Sequence, residues 1–195
     1  MIETPWIAPE RHAGRGFLLR RYSPGDGSIL REATTSSYEH LRVFMPWATP
    51  RQSRDEAEAL VHRFCAHYLL GKDFILGIFS RDEKTLLGGC GYHLREGALE
   101  SESAEIGMWI RASEAGHGLG TRVLVTLLGW GFSEWPWKRL SWRCDTRNAA
   151  SVRIAEKAGM TREGVLRSHM LSPTGERRDT ACFAALRGEW GAPGA

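Results

Sequence analysis

Apolar and polar positions follow two rhythms along the chain, and the switches between them outline a succession of strands and helices. "GFLLRRY" (16–22) predicts a first strand, closed by the turn residues Ser23-Pro24-Gly25-Asp26-Gly27. A helix follows to about Arg42 and breaks at "FMPWATP", since Pro46 disfavours helical backbone at Met45. Ser53-Arg54-Asp55-Glu56 has the spacing of a capping box, and Ala57, Leu60, Val61, Phe64 and Tyr68 then recur at helical intervals. "DFILGIFS" (73–80) and "LLGGCGYHL" (86–94) predict a hairpin around the charged turn Arg81 to Thr85. A polar loop (95–103) leads to the strand "AEIGMWI" and then to a glycine-rich loop and an amphipathic helix, within "EIGMWIRASEAGHGLGTRVLVTLLGWGF" (105–132). "RLSWRC" (139–144) alternates as a strand does. "NAASVRIAEKAG" predicts a short helix between an Asn148 N-cap and Gly159, and two strands, about 163–171 and 180–187, flank the turn Ser172-Pro173-Thr174-Gly175.

This order predicts a single α/β domain over residues 1–195 built on a mixed sheet, with 1–15 as a loose N-terminal arm. The strands 104–111 and 139–144, joined by a helix, should run parallel with a right-handed crossover. An apolar fraction of 42% and a charged fraction of 25% are ordinary for a globular chain, and no apolar run approaches the ~20 residues of a membrane span. The start, "MIETPWIAPERHAGR", lacks the basic-then-apolar pattern of a secretory signal. Cys65, Cys90, Cys144 and Cys182 are widely spaced with no CxxC, which predicts reduced, structural thiols and a cytoplasmic location. A net charge of +3 is too small to predict a nucleic-acid partner, and the densest basic cluster, Glu176-Arg177-Arg178-Asp179, is offset by its own acids. No HExxH or Cys/His cluster predicts a metal site, and no GxSxG elbow predicts a serine hydrolase.

The chemistry concentrates in the loop with Gly116, Gly118 and Gly120. Such a loop running into a helix favours anions, because its amide groups are unpaired and the helix dipole adds to them. It is not a GxxxxGK[ST] loop, since Thr121 follows Gly120 directly, and its glycines fall as GxGxG rather than GxGxxG. A plain chain-reversing turn is the alternative. Three glycines at a helix start are entropically costly, which is easier to explain if a ligand must approach the backbone.

Together, "AEIGMWI…GHGLGT…LSWRCDTRNAASVRIAEKAGM", "EHLRVFMPWATP" (39–50) and the closing "REGVLRSHM…GERRDTACFAALRGEW" resemble the GNAT superfamily of N-acetyltransferases. Within it they are similar to the RimJ/RimL-like branch that acetylates the N-terminal amines of ribosomal proteins. The resemblance implies the GNAT fold: a mixed, mostly antiparallel sheet of seven strands, with splayed parallel central strands flanked by helices. It implies acetyl-CoA (coenzyme A) as donor, and with no metal-ligand motif in the sequence no metal is expected. Its pyrophosphate loop maps onto Ala115 to Thr121, with His117, Gly118, Leu119, Gly120 and Thr121 around the phosphates. The pantetheine arm is expected along the free backbone of Met108, Trp109 and Ile110, with Asn148 touching it. Two positions depart from the pattern. Ala115 stands where a Gln or Arg usually contacts phosphate, and Ala155 where many relatives carry a tyrosine that protonates the thiolate.

For the reaction, Glu105 is the expected base, on the strand face opposite Ile106 and Met108, or water relays for it. Ser151 is the expected proton donor to the leaving thiolate, and a backbone N–H near Met108 or Trp109 should meet the thioester carbonyl. Trp47 with Met45 beside it is the expected aromatic wall of the acceptor site, with His93 and His169 lining the cleft from neighbouring strands. The acceptor is expected to be a protein or peptide α-amine. A small amine (polyamine, amino acid or aminoglycoside), another acyl group, and a non-catalytic acetyl-CoA-binding protein stay open beside it. A homodimer is a further expectation of the resemblance.

Overall fold

Strand pairing sets the architecture of the computed structural model, which describes residues 6–172 and 174–193. Residues 1–5 of the expected arm and Pro173 of the closing turn lie outside the described residues. Chain order is β1 (Arg11–Gly14), β2 (Phe17–Arg21), α1 (Gly27–Ser36), α2 (Tyr38–Leu41), α3 (Arg54–Leu69), β3 (Phe74–Phe79), β4 (Leu86–His93), β5 (Ser103–Ile110), α4 (Leu119–Glu134), β6 (Arg139–Asp145), α5 (Ala149–Lys157), β7 (Thr161–Leu171) and β8 (Arg177–Leu186). The strands form one sheet in the order β1-β2-β3-β4-β5-β6-β8-β7. All neighbours are antiparallel except β5 and β6, which run parallel across the α4 crossover.

Eight strands stand where seven were expected, because β1 forms inside the segment read as a loose arm. Its sequence, RHAG, has no apolar alternation. What holds it is backbone pairing to β2, an Arg11–Glu83 ion pair, and the His12 ring stacked on Trp130. The helix expected to reach Arg42 is interrupted at Ser37, whose buried hydroxyl accepts from the Ala112 amide at 3.0 Å. That bond ties the end of α1 to the loop after β5.

The sheet has two working faces. On one, Cys90, Tyr92, Ala104 and Ile106 pack with Leu119, Val123, Leu124 and Leu127 of α4, and Tyr92 donates to the Leu127 carbonyl at 2.6 Å. On the other, Tyr22, Leu30, Ala33, Val61, Cys65, Phe79 and Leu86 form a second cluster under α1 and α3, with Trp109 against it. At the end of α4, Trp130, Trp135, Trp137, Tyr92 and Phe74 make a buried aromatic cluster that fixes where the crossover turns back into β6.

Helix α3 begins with the expected capping box: Ser53 Oγ accepts from the Glu56 amide at 3.1 Å, and Glu56 accepts from the Ser53 amide at 2.7 Å. Losing such a cap costs about 1 kcal/mol. Ser53→Ala is therefore expected to lower the melting temperature by about 2–4 °C, read by thermal denaturation; an unchanged midpoint would show that the cap is redundant.

Candidate active site

Parallel pairing between β5 and β6 spans three residue pairs, Ser103–Arg139, Ala104–Leu140 and Glu105–Ser141, and then stops. Beyond that point, residues 106–110 pair with β4 alone and 142–145 with β8 alone. The two central strands thus form a wedge with its apex at Glu105 and Ser141. One edge of β5, including Met108, Trp109 and Ile110, carries backbone groups with no strand partner.

The loop after β5 leads from this wedge into α4. Gly116 (φ +82°) and Gly118 (φ +76°) hold left-handed backbone that other residues reach only at a cost. Gly118 is the N-cap of α4 and supplies no side-chain acceptor. Among the described residues, the amide groups of 116–121 donate no hydrogen bond, so six consecutive N–H groups stay open at the positive end of a 16-residue helix. His117, Gly118, Leu119, Gly120 and Thr121 all belong to this run. Gly120 has a different reason to be glycine: a Cβ there would lie 2.8 Å from Ile154 Cδ1 and 3.6 Å from Met108 Cε. It lets α4 close onto α5 and β5. Arg122, one turn in, donates to the His117 carbonyl at 3.2 Å and brings a charge to the loop that Ala115 lacks.

Helix α5 starts beside the other edge of the wedge. Asn148 Oδ1 caps it by accepting from the Ser151 amide at 3.1 Å. Trp142 Nε1 donates to Ser151 Oγ at 3.2 Å, and since an indole can only donate, this bond does not use the serine hydrogen. Burial pushes the neighbouring Cys144 thiol up from its ordinary pKa.

Across the sheet, on the α1/α3 face, glycines pave the floor. A Cβ at Gly89 would strike the Trp109 indole at 2.3 Å, and one at Gly107 would strike His93 Nε2 at 2.6 Å. Each ring therefore occupies the space that a side chain on the adjacent strand's glycine would fill. His93 Nδ1 meets Asp73 Oδ1 at 2.7 Å. Glu105, 4% exposed, faces Arg95 and, at 3.7 Å, Arg143; Arg143 also bonds Glu96 at 2.7 Å. Two surface clefts, of about 470 Å³ beside Arg31, Gln52 and Glu56 and about 310 Å³ beside Arg11, Arg20 and Glu83, lie away from these residues and gather none of them.

A wedge in a mixed sheet beside an amide-lined helix start suits a long phosphorylated arm, and the family model for the acetyltransferase (GNAT) domain matches residues 16–161. The chain belongs to the GNAT acetyltransferase family. This acetyltransferase is 31% identical over 136 residues to the N-acetyltransferase YoaA of Bacillus subtilis, itself uncharacterized, covering 70% of this chain and 75% of that one. Its fold matches a GNAT-family acetyltransferase from Bacillus anthracis (TM-score 0.75, 22% identity, 92% and 99% of the two chains covered). It also matches RimL, a ribosomal L7/L12 alpha-N-protein acetyltransferase in complex with coenzyme A (TM-score 0.80, 19% identity, 91% and 98% covered). The enzyme is an N-acetyltransferase, and its acetyl donor is acetyl-CoA.

The remaining expected residues divide. Trp47 is half-exposed and stands edge-on to Trp109, ring centroids 6.0 Å apart, with Met45 partly buried near it in sequence. His169 bonds Thr180 Oγ1 at 3.1 Å from β7, whereas His93 lies on β4; β5, β6 and β8 separate them. They are not on neighbouring strands, and at ~4.8 Å per strand they cannot share one small cleft. Sequence reasoning missed Asp73, Arg95, Arg143 and Trp142. No local spacing marks the first three, because each reaches its partner across strands.

Asp145 fixes the turn from β6 to α5: its Oδ1 accepts from the Arg147 amide at 2.8 Å, and Arg178 lies 3.8 Å from Oδ2. Burial acts to raise its pKa, but the side-chain and backbone hydrogen bonds from Arg147 outweigh it and hold the carboxyl below its ordinary value. A depressed carboxylate stabilises the fold above its unfolded pKa, about 3.9, and that contribution fades as pH falls through the lower folded value. Asp145→Asn should cost about 1–3 kcal/mol at pH 7, with the gap to wild type closing below about pH 4 in urea titrations. A gap independent of pH would assign the loss to packing.

Proposed function

We propose that this enzyme acetylates the α-amine at the N-terminus of a protein or peptide, by direct transfer from acetyl-CoA, in the cytoplasm. The observation that carries the reading is the end of β5–β6 pairing at Glu105–Ser141, with six open amides beside the same wedge. In this reading the amides of His117, Gly118, Leu119, Gly120 and Thr121 hold the diphosphate, and the free edge of Met108, Trp109 and Ile110 holds the pantetheine amides. Asn148 Nδ2, with no partner among the described residues, completes that grip. An amide near Met108 or Trp109 polarises the thioester carbonyl, and Ser151 gives its proton to the departing sulfur.

The acceptor enters from the opposite face. Trp47 and Trp109 form its rim. Helices α1 and α3 pack on β4 and β3, while β7 is exposed along nearly its whole length, which leaves room for a chain longer than a small amine. Glu105, engaged by Arg95 and Arg143, positions the apex. Four cysteines without a disulfide suit a reducing compartment.

The α-amine also suits the chemistry. With a pKa of ~8 it is about one-tenth neutral at pH 7, whereas a lysine at ~10.4 is neutral at about one part in 2,500. Thiol release from acetyl-CoA, measured against peptides with free N-termini and against polyamines, amino acids and aminoglycosides, should respond to the peptides, with mass spectrometry placing the acetyl group on the first residue. Response to small amines alone would discard the peptide reading, and binding of acetyl-CoA without amine-dependent release would discard catalysis. Gly118→Ala forces a side chain into left-handed backbone beside the open amides, and about 1.4 kcal/mol of lost binding is tenfold. The KM for acetyl-CoA should rise about tenfold, with the acceptor KM unchanged.

A further inference from the structure

The α1/α3 face of the wedge apex holds a histidine–carboxylate pair in the arrangement of a general base. His93 ends β4, and its cross-strand partner on β5 is Glu105, the last residue of β5 that pairs with β6. Its ring is therefore one strand away from the point where the wedge closes. Asp73 immediately precedes β3, where the Phe74–Tyr92 register places it opposite His93, and the two side chains meet at 2.7 Å through Nδ1. A carboxylate accepts from Nδ1–H, which leaves the lone pair on Nε2. That nitrogen is aimed over Gly107, 2.6 Å from where a Cβ would stand, so the missing side chain on β5 is what gives the ring its place. Gly107 adjoins Met108, where the thioester carbonyl is expected. The two side chains keep 18% and 26% of their surface exposed, enough for a small group to reach the ring from the acceptor side.

We propose that His93 is the general base of the transfer and that Asp73 is its positioning residue. This rests on the acetyltransferase reading above. The alternative base, Glu105, has its oxygens turned to Arg95 and Arg143, while Nε2 of His93 has no hydrogen-bond partner among the described residues. As the amine nitrogen bonds to the acetyl carbon, Nε2 takes the proton that nitrogen loses. The carbon–sulfur bond breaks with its electron pair on sulfur, and the thiolate takes one proton through Ser151, which solvent restores. His93 then gives its proton to solvent, so the balance is amine plus thioester to amide plus thiol. The charged groups around the ring are Asp73 before β3, Glu105 on β5 with its partner Arg143 from β6, and Arg95 just after β4; any of these can shape the pH profile.

The test uses the full-length enzyme with acetyl-CoA and whichever peptide or small amine the wild type turns over fastest. His93→Gln should lower kcat by 10²-fold or more, leave the KM for acetyl-CoA within about twofold, and abolish the acid limb of the kcat–pH profile. Asp73→Asn should lower kcat by about tenfold at an unchanged KM for acetyl-CoA. In His93→Gly, added imidazole should restore kcat at least tenfold. A His93→Gln kcat within about threefold of wild type overturns the assignment, as does a loss that imidazole leaves untouched in a variant with wild-type melting. An acid limb removed by Glu105→Gln and kept in His93→Gln overturns it as well. A wild type that releases no thiol with any amine defeats the acetyltransfer reading itself, an outcome these variants cannot mimic.

Discussion

The wedge opens between two strands that are each held along the outer edge. Strand β5 is paired with β4 over six residue pairs and β6 with β8 over seven, so both keep their places in the sheet although the contact between them stops at three pairs. Behind the gap, α4 and α5 approach closely at Gly120, where any side chain would meet Ile154. This close packing keeps the helices seated while the strands diverge. The open backbone groups are the cost: a polar group left without a partner away from water costs about 1–3 kcal/mol. In the proposed binding mode, hydrogen-bonding groups on the thioester's arm would offset that cost, so the same defect that weakens the sheet would give it affinity.

Two devices keep the apex in place. One is the chain of ion pairs Arg95–Glu105–Arg143–Glu96, extended through Arg139 to Glu163, which ties the loop after β4 to β5, β6 and β7. Exposed ion pairs contribute little singly, about 0–1 kcal/mol, but Glu105 is buried and leaving it unpaired would be far more costly. The other is the pairing of glycines with rings. Gly89 under Trp109 and Gly107 under His93 leave the space that the two rings fill. Glycine inside a strand weakens it, and here the rings recover the lost packing.

Local patterns in the sequence carried most of the fold. The capping box, the Asn148 cap, the hairpin and the parallel crossover all depend on residues near one another, and all form as read. Strand β1 was hidden because backbone pairing, not apolar alternation, defines it. The glycine loop was legible as a run of open amides at a helix start, yet its three glycines divide between backbone conformation at 116 and 118 and helix packing at 120. The Asp73–His93 pair was hidden by one irregularity. Counting back from the turn, Phe79 opposite Leu86 would place Asp73 opposite Tyr92, but a register shift between Ile78 and Phe79 moves every earlier pair by one residue. One residue exchanges the faces of a strand, so a histidine that would have pointed away from the aspartate points at it.

Acceptor choice and base strength are linked. At pH 7 a neutral α-amine is about 250 times more abundant than a neutral lysine amine, a difference of about 3 kcal/mol in the ground state. A site that draws on the free neutral amine has that advantage without a strong base, and needs only to remove the proton released as the amide forms. His93, the proposed base, suits that role because Asp73 accepts its Nδ1–H and leaves a lone pair on Nε2. A lysine site would instead have to strip an ammonium, which calls for apolar burial of the amine or a stronger base near it. On the proposed acceptor face Glu105 sits in an ion-pair chain and Trp47 is half-exposed, and neither encloses an alkyl chain. With His93 as the proposed base, an open face would favour an acceptor that arrives partly deprotonated, and the proposed acceptor, the N-terminus of a polypeptide, is one.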